Sequence, residues 1–311
     1  MYEFLRKKMK HEILIPADVP PNKHDEFVKN YTALTHGTEN LFLFAADRKI
    51  EYLNKDFYGP GIDPAAADPK HLFKIAQKGK IGGLAAEVGL IARYGKQFPD
   101  ITYIARMNSK TNLSPKEEYP PVSWKLWLVD RLMKIKKDSG LNICAIDYTI
   151  YLGSHYEWYM LPHATEAIFD AHQQGLVVIA SIFPHGKDVK EERTAQVIAG
   201  AAGVGPCIGA DFVRVHPPES KFGQSSEELL KQATLAAGNT KLICTGGPTQ
   251  KPEAFLDNLY KQMQTGGSHG SGVGRNIFQK PLDKAINMTK AISAIIYDGK
   301  TVDQAKKILV N

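Results

Sequence analysis

Hydrophobic and polar positions alternate in two distinct patterns from residue 41 onward. Short, almost uninterrupted runs of apolar and β-branched residues predict strands that are buried on both faces. Between these runs, apolar residues recur at the spacing of a helix with one buried face. The predicted strands cover residues 41–46, 83–87, 102–107, 143–148, 177–181, 212–216, 241–245 and 270–273. The predicted helices cover residues 69–78, 124–139, 155–174, 191–202, 226–237, 252–264 and 280–297.

Eight strands, most of them followed by a helix, predict a single (β/α)8 barrel, and 311 residues lie within the range of such single-domain barrels. An open doubly wound sheet is the structural alternative. We divide the chain into an N-terminal extension over residues 1–40, the barrel over 41–298 and a C-terminal helical tail over 299–311. The extension is expected to pack across the N-terminal face of the barrel. The long loop over residues 48–68 is a candidate lid at the opposite face.

Composition and charge narrow the class of protein. Hydrophobic residues make up 43% and charged residues 23%, as in ordinary globular proteins. No apolar run approaches the length of a membrane helix, and no signal peptide is visible, so we expect a cytoplasmic protein that does not bind a membrane. The net charge of +6 comes mostly from scattered lysines, which argues against nucleic-acid binding. Three widely spaced cysteines lack the pattern of a zinc site or a disulfide framework: Cys144, Cys207 and Cys244. We expect neither a metal nor a cofactor.

Two glycine-bearing turns follow the last two predicted strands. Gly246 and Gly247 follow the seventh strand, and Gly274 and Arg275 follow the eighth. Barrels often bind phosphate with these two loops, because glycine lets backbone N–H groups approach the anion closely. The Arg275 guanidinium would add charge-assisted hydrogen bonds. The sequence therefore predicts a phosphate site at this point.

The segment Gly272–Gln279 resembles the terminal signature of the archaeal-type class I fructose-bisphosphate aldolases, which belong with the DeoC/FbaB-like aldolases. The resemblance extends from about residue 40 to residue 298. Further segments agree in order: Asn108-Ser109-Lys110-Thr111, Tyr148 through Ser154 with Glu157-Trp158, Gly209-Ala210-Asp211 and Gly246-Gly247-Pro248.

This resemblance implies reversible aldol cleavage of a phosphorylated ketose in glycolysis or gluconeogenesis, through a lysine Schiff base and without metal. It also implies a homo-oligomer. Asp47 matches the active-site aspartate of the family, and Glu51 matches a nearby acid. Two positions depart from the family pattern. Arg214 replaces the Schiff-base lysine and cannot supply a free amine, and Phe183 replaces the catalytic tyrosine and has no proton to give.

Three interpretations follow from these departures. In the first, another lysine forms the imine, and Lys110, Lys49 and Lys187 are the candidates. In the second, the barrel is a catalytically degenerate phosphosugar-binding protein that has kept the phosphate site and lost the imine chemistry.

The third interpretation is altered, non-imine chemistry that uses Asp47, Asp147 and His216. His216 lies two residues after Arg214 on the same predicted strand, so both side chains are expected on one side of it. An arginine that points into the barrel needs a counter-charge. We therefore expect Arg214 to pair with Asp147 or with another carboxylate at the barrel mouth.

Overall fold

The computed structural model describes residues 13–46, 53–113, 120–221 and 223–310. Eight parallel strands close into a barrel in which each strand pairs with the next one along the chain and the last pairs with the first. The predicted (β/α)8 barrel is thus confirmed, and closure of the sheet excludes the doubly wound alternative. The strands are β1 Leu41–Ala45, β2 Gly83–Glu87, β3 Tyr103–Arg106, β4 Ile143–Leu152, β5 Val177–Pro184, β6 Phe212–Val215, β7 Lys241–Thr245 and β8 Gly270–Val273.

Helices surround the barrel, and further helices precede the first strand and follow the last strand along the chain. None in the described part of the chain combines the length and apolarity needed to cross a membrane. The helices are α1 His24–Thr35, α2 Lys70–Lys78, α3 Val88–Tyr94, α4 Val129–Ser139, α5 Glu157–Gln173, α6 Ala195–Cys207, α7 Ser226–Ala237, α8 Pro252–Gln264, α9 Arg275–Phe278, α10 Leu282–Ile296 and α11 Val302–Leu309.

Two helix predictions were wrong at their starts. The helix predicted from residue 124 begins only at Val129, because Trp124–Lys125 forms a short antiparallel pair with Asn108–Ser109. The helix predicted over residues 191–202 begins at Ala195 and runs to Cys207. It begins there because the Thr194 side chain accepts a hydrogen bond from the Val197 N–H and caps the first turn.

Helix α1 closes the end of the barrel at which the strands begin. Phe27 and Tyr31 of α1 are buried in one cluster with the first residues of several strands, among them Leu41 and Phe212. The Tyr31 and Phe212 rings stack with their centroids 5.5 Å apart. This end is filled with packed apolar side chains, and the cavity described below lies at the opposite end, where the strands finish.

Candidate active site

A cavity of about 640 Å³ lies at the C-terminal ends of the strands. Its wall takes residues from seven of the eight strands or the loops after them. Eight of the residues singled out from the sequence line it: Lys110, Phe183, Arg214, His216, Gly246, Gly247, Gly274 and Arg275.

The other candidates do not form this wall. Asp147 is only 1% exposed and lies beneath it. Lys187 is exposed on the loop after β5 and does not line the cavity. Asp47, Lys49 and Glu51 lie outside the described residues.

The turns after β7 and β8 are joined to each other by short contacts. The Gly246 N–H donates to the Gly272 carbonyl over 2.7 Å, and a Cβ at Gly246 would come within 3.2 Å of the Val273 Cα. A side chain is therefore hard to accommodate at Gly246. The Asn276 amide donates to the Gly246 and Pro248 carbonyls, both over 3.0 Å. These bonds hold the two turns in a fixed relative position.

Arg275 directly follows the turn after β8 and contributes to the cavity wall. Its side chain is 32% exposed, and its Nη1 lies 3.6 Å from Oδ1 of Asp56. Asp56 belongs to the loop after β1, whose Phe57 ring stacks on Phe278 at a centroid distance of 4.7 Å. The loop after β1 is thus packed against α9 and supplies one side of the cavity.

Arg214 projects from β6 into the cavity and is 6% exposed. Its stem passes directly over β8, because a Cβ added at Gly272 would lie 2.8 Å from the Arg214 Cδ. Its guanidinium carbon lies 5.6 Å from the centroid of the Phe183 ring. The two positions that we predicted to depart from the family pattern are therefore neighbours in space.

The predicted pairing of Arg214 with Asp147 was wrong. Asp147 instead binds Arg106, whose Nη1 lies 3.0 Å from Oδ2, and accepts a hydrogen bond of 2.6 Å from the Ser181 hydroxyl. The register explains this, because Arg106 of β3 is directly opposite Asp147 of β4, whereas β5 separates β4 from β6. Across the described ranges, no carboxylate forms an ion pair with Arg214, and its Nε has no hydrogen-bond partner.

Arg106 is a site residue that the sequence analysis missed. It is 3% exposed, lines the cavity and also donates from Nη2 to the Thr149 hydroxyl over 2.9 Å. Its signal in the sequence was a charged residue near the end of an otherwise apolar predicted strand. Such a residue is costly to bury and is usually paired or functional.

His185 and Glu192 form a second feature that the sequence analysis did not assign. His185 follows β5, its Nδ1 lies 2.5 Å from a Glu192 carboxylate oxygen, and both residues line the cavity. A carboxylate accepts and cannot donate, so in the neutral form of the ring the proton lies on Nδ1 and the lone pair on Nε2. This arrangement can accept a proton from a bound ligand.

His216 and Lys110 lie at different points of the cavity wall. The His216 Nδ1 contacts the Thr245 hydroxyl at 2.8 Å, and its ring lies 4.7 Å from the Phe183 ring. The Lys110 ammonium lies 5.7 Å from the centroid of the Tyr151 ring. Lys110 follows β3, which is four strands away from β7 in the closed ring of eight, so it lies across the mouth from the glycine turns.

Comparison with known proteins gives consistent results. Residues 41–280 match the family model of the DeoC/LacD family aldolases. The fructose-bisphosphate aldolase/6-deoxy-5-ketofructose 1-phosphate synthase of Methanocaldococcus jannaschii is 46% identical over 304 residues, which are 98% of this chain and 96% of that protein. The class 1 fructose-bisphosphate aldolase of Thermoproteus tenax is 27% identical over 83% of this chain and 90% of that protein.

A solved structure agrees as well. The fructose-bisphosphate aldolase of Slackia heliotrinireducens superposes with a TM-score of 0.94 at 44% identity, covering 96% of this chain and 94% of that one. The match to the family model spans the whole barrel up to the residues just after α9, including both glycine turns and the cavity wall. The chain therefore belongs to the DeoC/LacD aldolase family.

Proposed function

We propose that this protein is a carbon–carbon lyase of the class I fructose-bisphosphate aldolase type, and that it cleaves a phosphorylated ketose in the cavity at the strand ends. One observation carries this proposal. In a chain of the DeoC/LacD aldolase family, the turns after β7 and β8 and the Arg275 guanidinium line one wall of that cavity. Family membership supports the reaction class, and the wall supports a phosphorylated ligand.

The positions of the cationic side chains support a ligand with phosphate at both ends. One phosphate would contact the two glycine turns and Arg275. The backbone can approach the phosphate closely at Gly246, Gly247 and Gly274, and the Arg275 guanidinium supplies positive charge. Lys110 lies across the mouth from these turns and offers an ammonium to the other. A sugar bisphosphate that spans the cavity would use both sets of groups.

Proton transfer in this proposal is assigned to His185. Aldol cleavage requires a base to take the proton from the hydroxyl group next to the bond that breaks. The Glu192 carboxylate fixes the His185 tautomer, so that Nε2 is the proton acceptor. Phe183 lies two residues earlier, near the end of β5, and has no proton to exchange.

A second candidate function is a phosphosugar-binding barrel without catalysis. The observation that favours it is the pair Arg214 and Phe183, which replaces the amine and the phenol of the imine chemistry. Release of triose products from fructose 1,6-bisphosphate separates the two candidates, because only the lyase forms them.

We also propose a cytoplasmic location, a homo-oligomeric state and an absence of nucleic-acid partners. The resemblance to the family supports the homo-oligomer, and the scattered charge supports the absence of nucleic-acid partners.

Substitution of Arg275 tests the phosphate site. Arg275→Ala should weaken the binding of fructose 1,6-bisphosphate by about 1.5–3 kcal/mol, the range for hydrogen bonds to a charged group. Titration calorimetry measures the affinity. Arg93→Ala, at an exposed position on α3, is the matched control and should bind as the unmodified protein does. Unchanged affinity in Arg275→Ala would remove the phosphate assignment.

A further inference from the structure

We propose that Arg214 binds the carbonyl oxygen of the phosphorylated ketose and stabilises it as an oxyanion while the carbon–carbon bond breaks. This inference rests on the proposed function and identifies the electron sink of the reaction. In place of the protonated imine of the family, the sink is an enediolate whose charged oxygen lies against a guanidinium. Arg214 is then a catalytic residue.

The first support is the uncompensated charge of Arg214. The side chain is 6% exposed, its Nε has no partner, and no carboxylate of the described residues pairs with it. The ring of Phe183, its contact on one side, is an aromatic face and accepts no conventional hydrogen bond. A buried cation without an anionic partner carries a desolvation cost, which an anionic oxygen of a ligand offsets.

Arg106 makes the contrast clear. It projects into the same cavity from β3, but the Asp147 carboxylate at 3.0 Å balances its charge. Arg214 instead has the Phe183 ring on one side and the bare backbone of Gly272 on the other. Of these two cavity arginines, Arg214 is the one whose charge is left for a ligand.

The second support is the position of Arg214 relative to the phosphate turns. A Cβ at Gly272 would lie 3.3 Å from the Arg214 Nη1, and the Gly272 carbonyl accepts the Gly246 N–H over 2.7 Å. The guanidinium is therefore adjacent to the turn proposed to bind phosphate. In a ketose 1-phosphate only C1 and the ester oxygen separate the C2 carbonyl from the phosphorus. A phosphate at the turn thus brings the C2 oxygen toward Arg214.

The chemistry balances without an additional reactant. His185 takes the proton of the C4 hydroxyl, and the O–H electron pair forms the C4 carbonyl of the departing aldehyde. The C3–C4 bond breaks, its electron pair forms a C2=C3 double bond, and the carbonyl electrons move to the C2 oxygen. Arg214 donates hydrogen bonds to that oxygen as its charge develops. The proton then passes from His185 to C3, which yields dihydroxyacetone phosphate.

Binding of an enediolate analogue tests this assignment. Phosphoglycolohydroxamate carries a phosphate and a planar anionic hydroxamate in the place of the enediolate, whereas inorganic phosphate occupies the turns alone. We expect the unmodified protein to bind the hydroxamate more tightly than phosphate. Arg214→Met should lower hydroxamate affinity about 10- to 100-fold, the effect of losing hydrogen bonds to a charged group, and leave phosphate affinity unchanged. Arg93→Met is the control for loss of one positive charge.

Gly272→Ala provides a second variant that keeps the Arg214 charge. Its methyl group would meet the Arg214 Cδ, so the guanidinium must move, and we expect a selective loss of hydroxamate affinity here as well. Equal weakening of phosphate and hydroxamate in Arg214→Met would make Arg214 a phosphate ligand and overturn the inference. So would an unchanged hydroxamate affinity in both variants, or phosphate binding by the unmodified protein without a preference for the hydroxamate. If the unmodified protein bound neither phosphate nor phosphoglycolohydroxamate, that result would instead refute the proposed function on which this inference rests.

Discussion

At the scale of single residues, the two positions predicted to depart from the family pattern are in contact. Arg214 and Phe183 lie on adjacent strands, with the guanidinium carbon 5.6 Å from the phenyl centroid. A lysine at position 214 and a tyrosine at position 183 would restore an amine beside a phenol in the same space. Neither change alone restores both the nucleophile and the proton donor, because imine formation needs the amine and its later steps need the acid.

This proximity leads to a prediction about engineered imine chemistry. With dihydroxyacetone phosphate and borohydride, Arg214→Lys should give little trapped adduct, and Arg214→Lys with Phe183→Tyr should give a clear one. General acid–base help is worth about 10²–10⁴-fold, so the difference should be visible by intact mass. Phe183→Tyr alone is the control and should give no adduct at position 214. Equal trapping in the single and double lysine variants would contradict the shared role of the pair.

At the scale of elements, one buried histidine joins three segments at the closed end of the barrel. His172 of α5 lies 2.8 Å from Asp18, before α1, and 3.2 Å from Asp211, before β6. Burial alone would lower the pKa of His172, but hydrogen bonds and charges from Asp211 and then Asp18 raise it from about 6.5 to about 9. The protonated ring therefore helps to hold the extension and α5 against the barrel.

The raised pKa predicts how stability depends on pH. Because the folded-state pKa lies above the unfolded value, the stabilisation is fully present below about pH 6.5 and is lost as the pH rises through about 9. The expected loss in the free energy of unfolding is on the order of 1–3 kcal/mol. Urea unfolding at pH 6, 8 and 10 measures it. His172→Gln should flatten this part of the profile, and an identical profile in that variant would show that another group is responsible.

At the scale of the whole molecule, the barrel could be predicted because its strands are local patterns. Val177–Pro184 is an apolar run that is recognisable without knowledge of its neighbours. Trp124–Lys125 misled the prediction, since the apolar spacing from Trp124 into α4 continues a helical period, while its pairing with Asn108–Ser109 depends on a contact between loops. Local periodicity therefore predicts elements better than it predicts their ends.

The candidate site could be predicted only where the barrel geometry determines position. Glycine turns after the last two strands must lie together at one face, and Gly246 and Gly274 do line one cavity. The Arg106–Asp147 pair depends on the register between two strands, and the contact between His185 and Glu192 depends on the path of a loop. These features are visible only in three dimensions. The roles assigned to the site residues stay predictions.

We propose that the whole protein, a member of the aldolase family, cleaves a phosphorylated ketose without forming an imine. The most direct measurement is the rate of fructose 1,6-bisphosphate cleavage by the unmodified protein after treatment with borohydride and dihydroxyacetone phosphate. The predicted result is cleavage at the same rate as in the untreated protein, since no covalent intermediate exists to be reduced. Loss of cleavage after treatment, with an adduct on Lys110 or another lysine, or no cleavage by the untreated protein, would contradict this account.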